Sequence, residues 1–540
     1  MDIQNTNFKV LDCTLRDGGY YNNWNFGSKM IQDYIVSIHK AGVNIVELGF
    51  RSNKKNGFKG ACAYTTDEFI NSFKFPDDLI IGIMINASEI IIDEKFSKEC
   101  LDSLIPNHSN DSSVKLVRIA CHFSEIFEAL KATDYIKSLG YLVGINLMQI
   151  GERTPEEIKS IASNLNKFSI DVFYFADSLG NLQVDQVNSI IKIIKSFWKG
   201  EIGIHAHDNM SLALTNSLSA LNEGATWVDS TITGMGRGAG NTKTEILSLE
   251  IAKLRNRDFN ISALMSIIDD VFQPLKEKYR WGSSPYYYLS GMYGVHPTYV
   301  QQMISDKRYS DEDIIAALDH LKNVNAKHFS ETELGISRNF YKGKPRGSWS
   351  PKAVFKNKEI LLVGPGPSVI EHREGLESYI RRKNPLVLVL NTKRDLDSTL
   401  INYRICCHPI RVLADHTDFI KLGDPLIAPL SMMPDRINNE ISSLNVFDYG
   451  ISIKENQFEF RDSYCIIPSP IVLAYALATL TSGDAKNIFL AGFDGYEPND
   501  PRRLEIDMIL DLYRSTKDNK KLSSVTPTLY NIPEISIYSI

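Results

Sequence analysis

The stretch FKVLDCTLRDGGYYNNW (residues 8–24) opens the first structural unit of the chain. An apolar, β-type run at 8–15 breaks off into Arg16-Asp17 and then two glycines. A surface ion pair beside a turn would give that pattern. A strand end that offers Asp17 to a cation and Arg16 to an anion would give it equally well. Comparable runs recur at 44–50, 79–86, 114–122, 142–149, 171–178, 203–208 and 227–234, rich in Val, Ile and Leu with little polar alternation. Parallel strands covered on both faces read this way. Helix-compatible stretches lie between them, among them 28–41, 124–139, 154–166 and 211–223. Thr154-Pro155-Glu156-Glu157 is a helix start by chemistry: an N-cap hydroxyl, a first-turn proline, then acids near the positive helix end. Eight β-then-α repeats in about 250 residues is the count of a (β/α)8 TIM barrel, with a doubly wound open sheet as the alternative.

The full 540 residues are too many for one ordinary core, so two or three domains are expected. A content of 43% hydrophobic and 23% charged residues fits a soluble globular protein, and the net charge of −6 offers no basic excess for nucleic acid. Apolar runs stop short of membrane-spanning length, and no secretory leader is evident. Seven cysteines lie scattered without metal spacing, an odd count that suits a reducing cytoplasm. Cys406 and Cys407 read as one buried and one exposed strand residue.

The expected layout is a barrel at 1–257, a helical extension at 258–339, a linker at 340–358 and a second α/β domain at 359–540. The extension carries RWGSSPYYYLSGMYGVHPTYV (280–300), whose aromatics suit a lid, a partner-facing surface or plain internal packing. The linker, FYKGKPRGSWSPKAVFKNK, is basic and rich in Gly, Pro and Ser. Beyond it, strand-like runs at 359–369, 385–391, 403–408, 425–430 and 487–496 suggest a Rossmann-like open sheet.

Catalytic groups of a TIM barrel gather at the C-terminal strand ends. Those ends supply Arg16 and Asp17, Glu47 and Arg51, Arg118 and His122, Asn146 and Gln149, and Asp177 and Ser178. The seventh run, GIHAHDN, adds His205 and His207, which share a strand face at spacing two. Two imidazoles and the Asp17 carboxylate make a credible divalent-cation site with positions left for substrate. The loop GMGRGAGNTKTE (234–245) could simply turn, or could bring backbone and the Asn241 oxygen close to a ligand.

The motifs TLRDGG, ELGFR, ADSLGN, HAHDN and GMGRGAGN occur in the order found in the DRE-TIM metallolyases, which this chain resembles over about residues 8–250. That group includes 4-hydroxy-2-oxovalerate aldolase, hydroxymethylglutaryl-CoA lyase and the isopropylmalate and homocitrate synthases; the glycine loop and barrel length resemble the first branch most. The resemblance implies Asp17, His205 and His207 as metal ligands, with Asn241 a ligand in some branches, and Mn²⁺ or Mg²⁺ as the ion. It implies Arg16 as the residue stabilising an enolate oxygen and Ser178 as a contact to the substrate acid; Glu47 and Asp177, at neighbouring strand ends, are placed with Ser178 on the substrate. A 2-oxo acid such as pyruvate and an aldehyde are the implied reactants, and a homo-oligomer is expected. The oxovalerate aldolases carry a histidine shortly after the Arg-Asp pair, proposed as the acid/base. Here Tyr20 and Tyr21 stand in that region. Tyr20 is the first candidate for the base, with His122 and a water on the ion behind it, although a tyrosine that merely shapes the pocket fits as well.

In the second domain, VGPGPS at a strand-to-helix turn suits a phosphate, or is simply a turn. With FLAGFDGYEPNDPR it weakly resembles bacterial sialyltransferases and flagellin-modifying glycosyltransferases, which implies a nucleotide-sugar ligand near Gly364, Gly366, Ser368, Asn391 and Asp494. His408 at a strand end is a further polar group there. The expected whole is a metal-dependent 2-oxo acid aldolase joined to a nucleotide-sugar-handling domain, in surface polysaccharide or unusual sugar synthesis. The alternatives are a Claisen-type acyl-CoA/2-oxo acid condensing enzyme, and a glycosyltransferase whose barrel is a scaffold.

Overall fold

The computed structural model describes residues 8–330 and 344–540 apart from 56, 257–259, 307, 308, 310, 324, 434–437, 440, 442, 498 and 499. The chain divides into two compact units, Met1–Asp306 with Lys322–Phe329, and Lys307–Leu321 with Ser330–Ile540. The stretch expected as one extension is therefore divided between the units, and its expected start at 258 lies outside the described residues.

In the first unit eight parallel strands close into a barrel in which each strand lies beside its chain neighbour and the last returns to the first. They are β1 (Lys9–Asp12), β2 (Ile45–Phe50), β3 (Ile80–Asn86), β4 (Val114–Cys121), β5 (Leu142–Leu147), β6 (Val172–Asp177), β7 (Glu201–Ala206) and β8 (Trp227–Ser230). The expected runs overlap all eight, and the open sheet is excluded by β1 pairing with both β2 and β8. Inside, Leu11, Ile45, Leu116, Val172, Tyr174 and Trp227 fill the lower barrel. Small residues make room for large ones. A Cβ on Gly203 would lie 2.4 Å from the Tyr174 ring, and one on Gly144 3.2 Å from the Arg118 stem. The helix Pro155–Leu165 begins as its sequence requires: Thr154 Oγ1 accepts from Glu157 N (3.2 Å) while Glu157 Oε2 accepts from Thr154 N (2.7 Å).

The opening stretch leaves the sheet sooner than expected. After Asp12 the chain winds into two short helical turns, Thr14–Asp17 and Gly19–Asn22. Asp12 starts the first by accepting from Thr14 N and Thr14 Oγ1, with Tyr34 and Thr244 completing its carboxylate. The glycines serve closeness rather than a special backbone angle, since Gly18 has φ −65°. A Cβ on Gly19 would fall 2.1 Å from the Trp24 ring, and one on Gly18 2.5 Å from Thr14 O.

Within the same unit, the aromatic run folds over the barrel mouth instead of standing apart. Trp281 is buried and its Nε1 donates to Thr233 O at 3.2 Å. Gly291 lies against Met210, Asn209 Nδ2 donates to Ser290 Oγ at 3.1 Å, and Tyr287 contacts the Tyr21 hydroxyl at 3.2 Å.

The second unit is built on a seven-stranded sheet with the order β13-β12-β11-β10-β9-β14-β15. Its strands are β9 (Glu359–Val363), β10 (Leu386–Leu390), β11 (Tyr403–Ile405), β12 (Leu426–Ala428), β13 (Val446–Asp448), β14 (Asn487–Ala491) and β15 (Leu522–Ser524), all paired in parallel. The open sheet expected there is present, with two strands, β13 and β15, that the sequence reading did not mark. The stretch expected as a linker differs where it is described, while 340–343 lie outside the described residues. Phe355 is fully buried, Trp349 N donates to Asp448 O at 3.0 Å, and Gly347 is pressed against backbone at 448–450 and 463. Its apolar residues are part of the second core. Cys406 and Cys407 are both fully buried, because this parallel sheet is covered on both faces and successive side chains enter separate clusters. None of the seven cysteines forms a disulfide, and no helix among the described residues is long and apolar enough to cross a membrane.

Candidate active site and metal centre

The polar residues of the barrel mouth form one buried chain of ion pairs. Arg16 and Asp17 are 4% and 2% exposed, and Arg16 Nη1 donates to Asp17 Oδ1 at 2.7 Å. They are an ion pair, but not a surface one. Arg16 Nε donates to Glu47 Oε1 at 2.7 Å. Arg118 reaches both Glu47 oxygens (Nε to Oε2 2.6 Å, Nη2 to Oε1 2.8 Å) and Asp229 Oδ2 (from Nη1, 2.8 Å). His205 Nδ1 donates to the same Asp229 oxygen at 2.9 Å, which fixes the tautomer and leaves Nε2 with its lone pair. Glu47, expected on the substrate, is thus enclosed between two guanidiniums and positions Arg16 instead. Asp229 was missed because an acid within the run WVDS carries no signal of its own until the opposite wall of the barrel is known.

At the end of this chain the three expected ligands converge. Asp17, His205 and His207 each offer an atom, all within 4.8 Å of one another. His205 is on β7; His207 lies just past it and pairs through its backbone with Asn241. Asn241 Nδ2 lies 3.3 Å from His205 Nε2 and 3.5 Å from His207 Nδ1. Among the described residues, three buried atoms here have no hydrogen-bond partner: Asp17 Oδ2, Asn241 Oδ1 and Arg16 Nη2. Unpartnered oxygens beside imidazole nitrogens that carry lone pairs are the donor set of a divalent cation, and these residues fit one. Cys13, His205 and Asp229 form a second possible set. It fits less well, because burial pushes the Cys13 thiol up and the Asp229 oxygen is taken by His205 and Arg118. Gly236 keeps the first set open: a Cβ there would lie 1.7 Å from Asn241 Oδ1 and 2.7 Å from Asp17 Oδ2.

The electrostatics keep these groups ready for a cation. Burial opposes charge on Asp17, but nearby positive charge, Arg16 first, outweighs it and holds the carboxyl well below the usual range. Burial likewise pushes His207 well below its ordinary value, so its imidazole is neutral.

The remaining expected residues separate. Ser178 Oγ accepts from Gln149 N at 3.1 Å, which leaves its proton free to donate. Asp177 does not face the site; it accepts from Asn181 N (3.0 Å) and Leu182 N (3.2 Å) and caps its own loop. Tyr20 is 40% exposed, its ring packs against Trp24 and Phe50, and Arg237, Asp17 and Arg16 act on its hydroxyl. Burial raises its pKa, which favours the protonated phenol, a hydrogen-bond donor. His122 stands at the end of β4, its ring 5.7 Å from that of His328; burial, with His328 and Arg237, lowers its pKa. Arg237, His296 and His328 line this side of the mouth and were not picked out as single residues.

In the second unit Gly364 and Gly366 make the expected tight turn, each with a would-be Cβ within 2.7 Å of Gly492 O. Ser368, however, gives its backbone amide to Asp494 Oδ2 (2.9 Å) and its hydroxyl to Asp494 Oδ1. Ser368 and Asp494, both expected near such a ligand, are thus bonded to each other. Asn391 sits at φ 54° with its carbonyl on Arg404, a turn position.

The HMGL-like family model matches residues 7–271. The chain is 25% identical over 330 residues to a 4-hydroxy-2-oxovalerate aldolase of Carboxydothermus hydrogenoformans, covering 59% of this chain and 94% of that protein. It is 32% identical over 163 residues to one of Brevibacillus brevis, covering 30% and 48%. Among solved structures, the N-terminal domain of a candidate aldolase from Bacteroides vulgatus is 33% identical with a TM-score of 0.50, covering 57% of this chain and 99% of that one.

Proposed function

The N-terminal half of the chain, residues 7–271, belongs to the HMGL-like family, and from that premise we propose that its barrel is a divalent-metal-dependent aldolase acting on a 2-oxo acid such as pyruvate. The observation that carries the proposal is the convergence of Asp17, His205 and His207 beside the unpartnered Arg16 Nη2. Relatives named 4-hydroxy-2-oxovalerate aldolase support the carbon–carbon lyase class.

Asp17, His205 and His207, with Asn241 beside them, would hold Mn²⁺ or Mg²⁺, which supplies Lewis-acid polarisation of a keto oxygen. Arg16, fixed by Asp17 and Glu47, aims Nη2 at the oxygen on which negative charge develops as the carbon–carbon bond breaks or forms. Because both its partners are buried, Arg16 is preorganised and needs no rearrangement during reaction. The Ser178 hydroxyl donates to the substrate carboxylate. The Tyr20 phenol, protonated at neutral pH, donates to the oxygen that becomes the aldehyde, and the His122 imidazole, neutral by burial, accepts the proton that oxygen releases in the cleavage direction. The aromatic run over the mouth limits water. Seven cysteines without a disulfide support a cytoplasmic setting. The proposal is confined to the barrel, where the converging ligand set and the named relatives support it.

The test is metal analysis together with exchange of the pyruvate methyl protons in D₂O, followed by NMR. Bound Mn²⁺ or Mg²⁺ and exchange that His205→Gln and Asp17→Asn abolish are expected. Exchange that survives both substitutions and chelator treatment would overturn the proposal.

A further inference from the structure

We propose that Arg237, His122, His296 and His328 form an anion-recognising chamber over the barrel mouth, so that the aldehyde reactant carries a carboxylate or phosphate. The inference rests on the aldolase reading and extends it to the second reactant.

Arg237 lies in the loop that follows β8. Its Nη2 donates to Ser178 O at 3.1 Å, while its Nε is buried and has no partner among the described residues. An arginine left with an unmet buried N–H is a costly arrangement unless a ligand completes it. Its charge reaches Tyr20, Asp17, His207, His122 and His296, which places it centrally in the mouth. Of these, Asp17 is the one carboxylate, and Arg16 already pairs with it.

Three imidazoles share the Arg237 side. His122 and His328 meet edge to face at 5.7 Å. His296 is 8% exposed, feels both of them and Arg237, and accepts from Thr298 N through Nδ1 at 3.4 Å. Glu125 faces His122, where its Oε2 accepts the His122 backbone N–H at 2.8 Å and is thereby occupied. Strand end, glycine loop and extension together surround this space: Gln149 Nε2 holds Lys327 O at 2.8 Å, and Gln301 Oε1 accepts from Gly238 N at 3.1 Å. A planar guanidinium among imidazoles, with one unmet N–H, matches the oxygens of a carboxylate or phosphate. A neutral aldehyde leaves Arg237 unsatisfied, and the site selects against it.

The experiment compares kcat/KM for succinic semialdehyde, glyceraldehyde 3-phosphate and butanal, each with pyruvate, in the wild type, Arg237→Met and Arg237→Lys. The wild type is expected to favour one of the anionic aldehydes over butanal by about 10- to 100-fold, one charge-assisted hydrogen bond. The two anionic compounds separate the carboxylate from the phosphate arm. Arg237→Met is expected to bring that ratio near one, and Arg237→Lys to restore part of it; general damage cancels in the ratio. A wild-type ratio near one, or an unchanged ratio in Arg237→Met with KM raised for pyruvate alone, overturns the proposal. Exchange of the pyruvate methyl protons without aldehyde reports on the aldolase reading separately. If exchange is absent, calorimetric titration with succinate and with inorganic phosphate decides the chamber alone. Binding weakened about 10-fold or more in Arg237→Met supports it, and equal or absent binding overturns it.

Discussion

Glu47→Gln removes the centre of the buried network while keeping its shape. Glu47 is 0% exposed, and its oxygens accept three guanidinium hydrogen bonds at 2.7, 2.8 and 2.6 Å. Glutamine is nearly isosteric, so packing is preserved. What changes is one negative charge and one acceptor turned into a donor. Oε1 carries two of the three bonds, so the new amide settles with its NH₂ at the Oε2 position, facing Arg118 Nε. One charge-assisted bond, worth about 1.5–3 kcal/mol, is lost there, and a donor meets a donor out of reach of water. Breaking a buried pair on one side costs about 3–5 kcal/mol in all, because the remaining charge is left desolvated. At about 2–4 °C per kcal/mol, the barrel transition in calorimetry should fall by roughly 6–20 °C. Salt should not erase the difference, since screening acts weakly on buried charges. Arg16 keeps Asp17 but has a neutral partner on its Nε side, so pyruvate proton exchange should slow by about 10-fold. A midpoint within about 2 °C of wild type, with exchange unchanged, would refute the assignment of Glu47 as the residue that positions Arg16.

Gly236→Ala should empty the metal centre without unfolding the barrel, because the new methyl meets Asn241 Oδ1 at 1.7 Å and Asp17 Oδ2 at 2.7 Å. Mn²⁺ affinity by calorimetry should drop about 10- to 100-fold or more, and unchanged affinity would contradict the ligand placement. Tyr20→Phe removes a donor, so pyruvate–aldehyde cleavage should fall about 100-fold while the ascending limb of its pH profile remains; loss of that limb would restore Tyr20 as the base. Burial raises Asp177 from 3.8 to about 7. The folded chain therefore holds the proton that the unfolded chain releases, and the Asp177 contribution to stability is full below about pH 4 and gone above about pH 7, on the order of 4 kcal/mol. In urea unfolding Asp177→Asn should flatten that fall, and equal pH dependence in both proteins would exclude it.

The sequence exposed what repeats and what ends strands. Apolar runs recurring through 8–234 were legible because a parallel barrel strand, covered inside and out, has nowhere to put a polar alternation. His205 and His207 were legible because spacing two puts both on one face. Residues whose meaning is created by closure were not. Glu47, Arg118 and Asp229 come from strands far apart in the chain, and only the barrel wraps them around a common interior, so Glu47 looked like a substrate contact and Asp229 like nothing. Gly18 and Gly19 are a smaller case, where the requirement is room for Trp24 and Met235 and no turn angle reveals it. The opening pair shows how the two levels combine. Arg16-Asp17 is an ion pair, as its chemistry suggests, but a pair driven into a closed barrel cannot be satisfied by its own members: Asp17 Oδ2 and Arg16 Nη2 both remain without hydrogen-bond partners among the described residues. A fold that buries two charges at a barrel mouth and leaves one atom of each open pays in stability for something that arrives later. The open oxygen lies among imidazoles and suits a cation, and the open nitrogen suits an oxyanion beside it, which is why the reaction class follows from the orphaned atoms rather than from the motif that first drew attention to them.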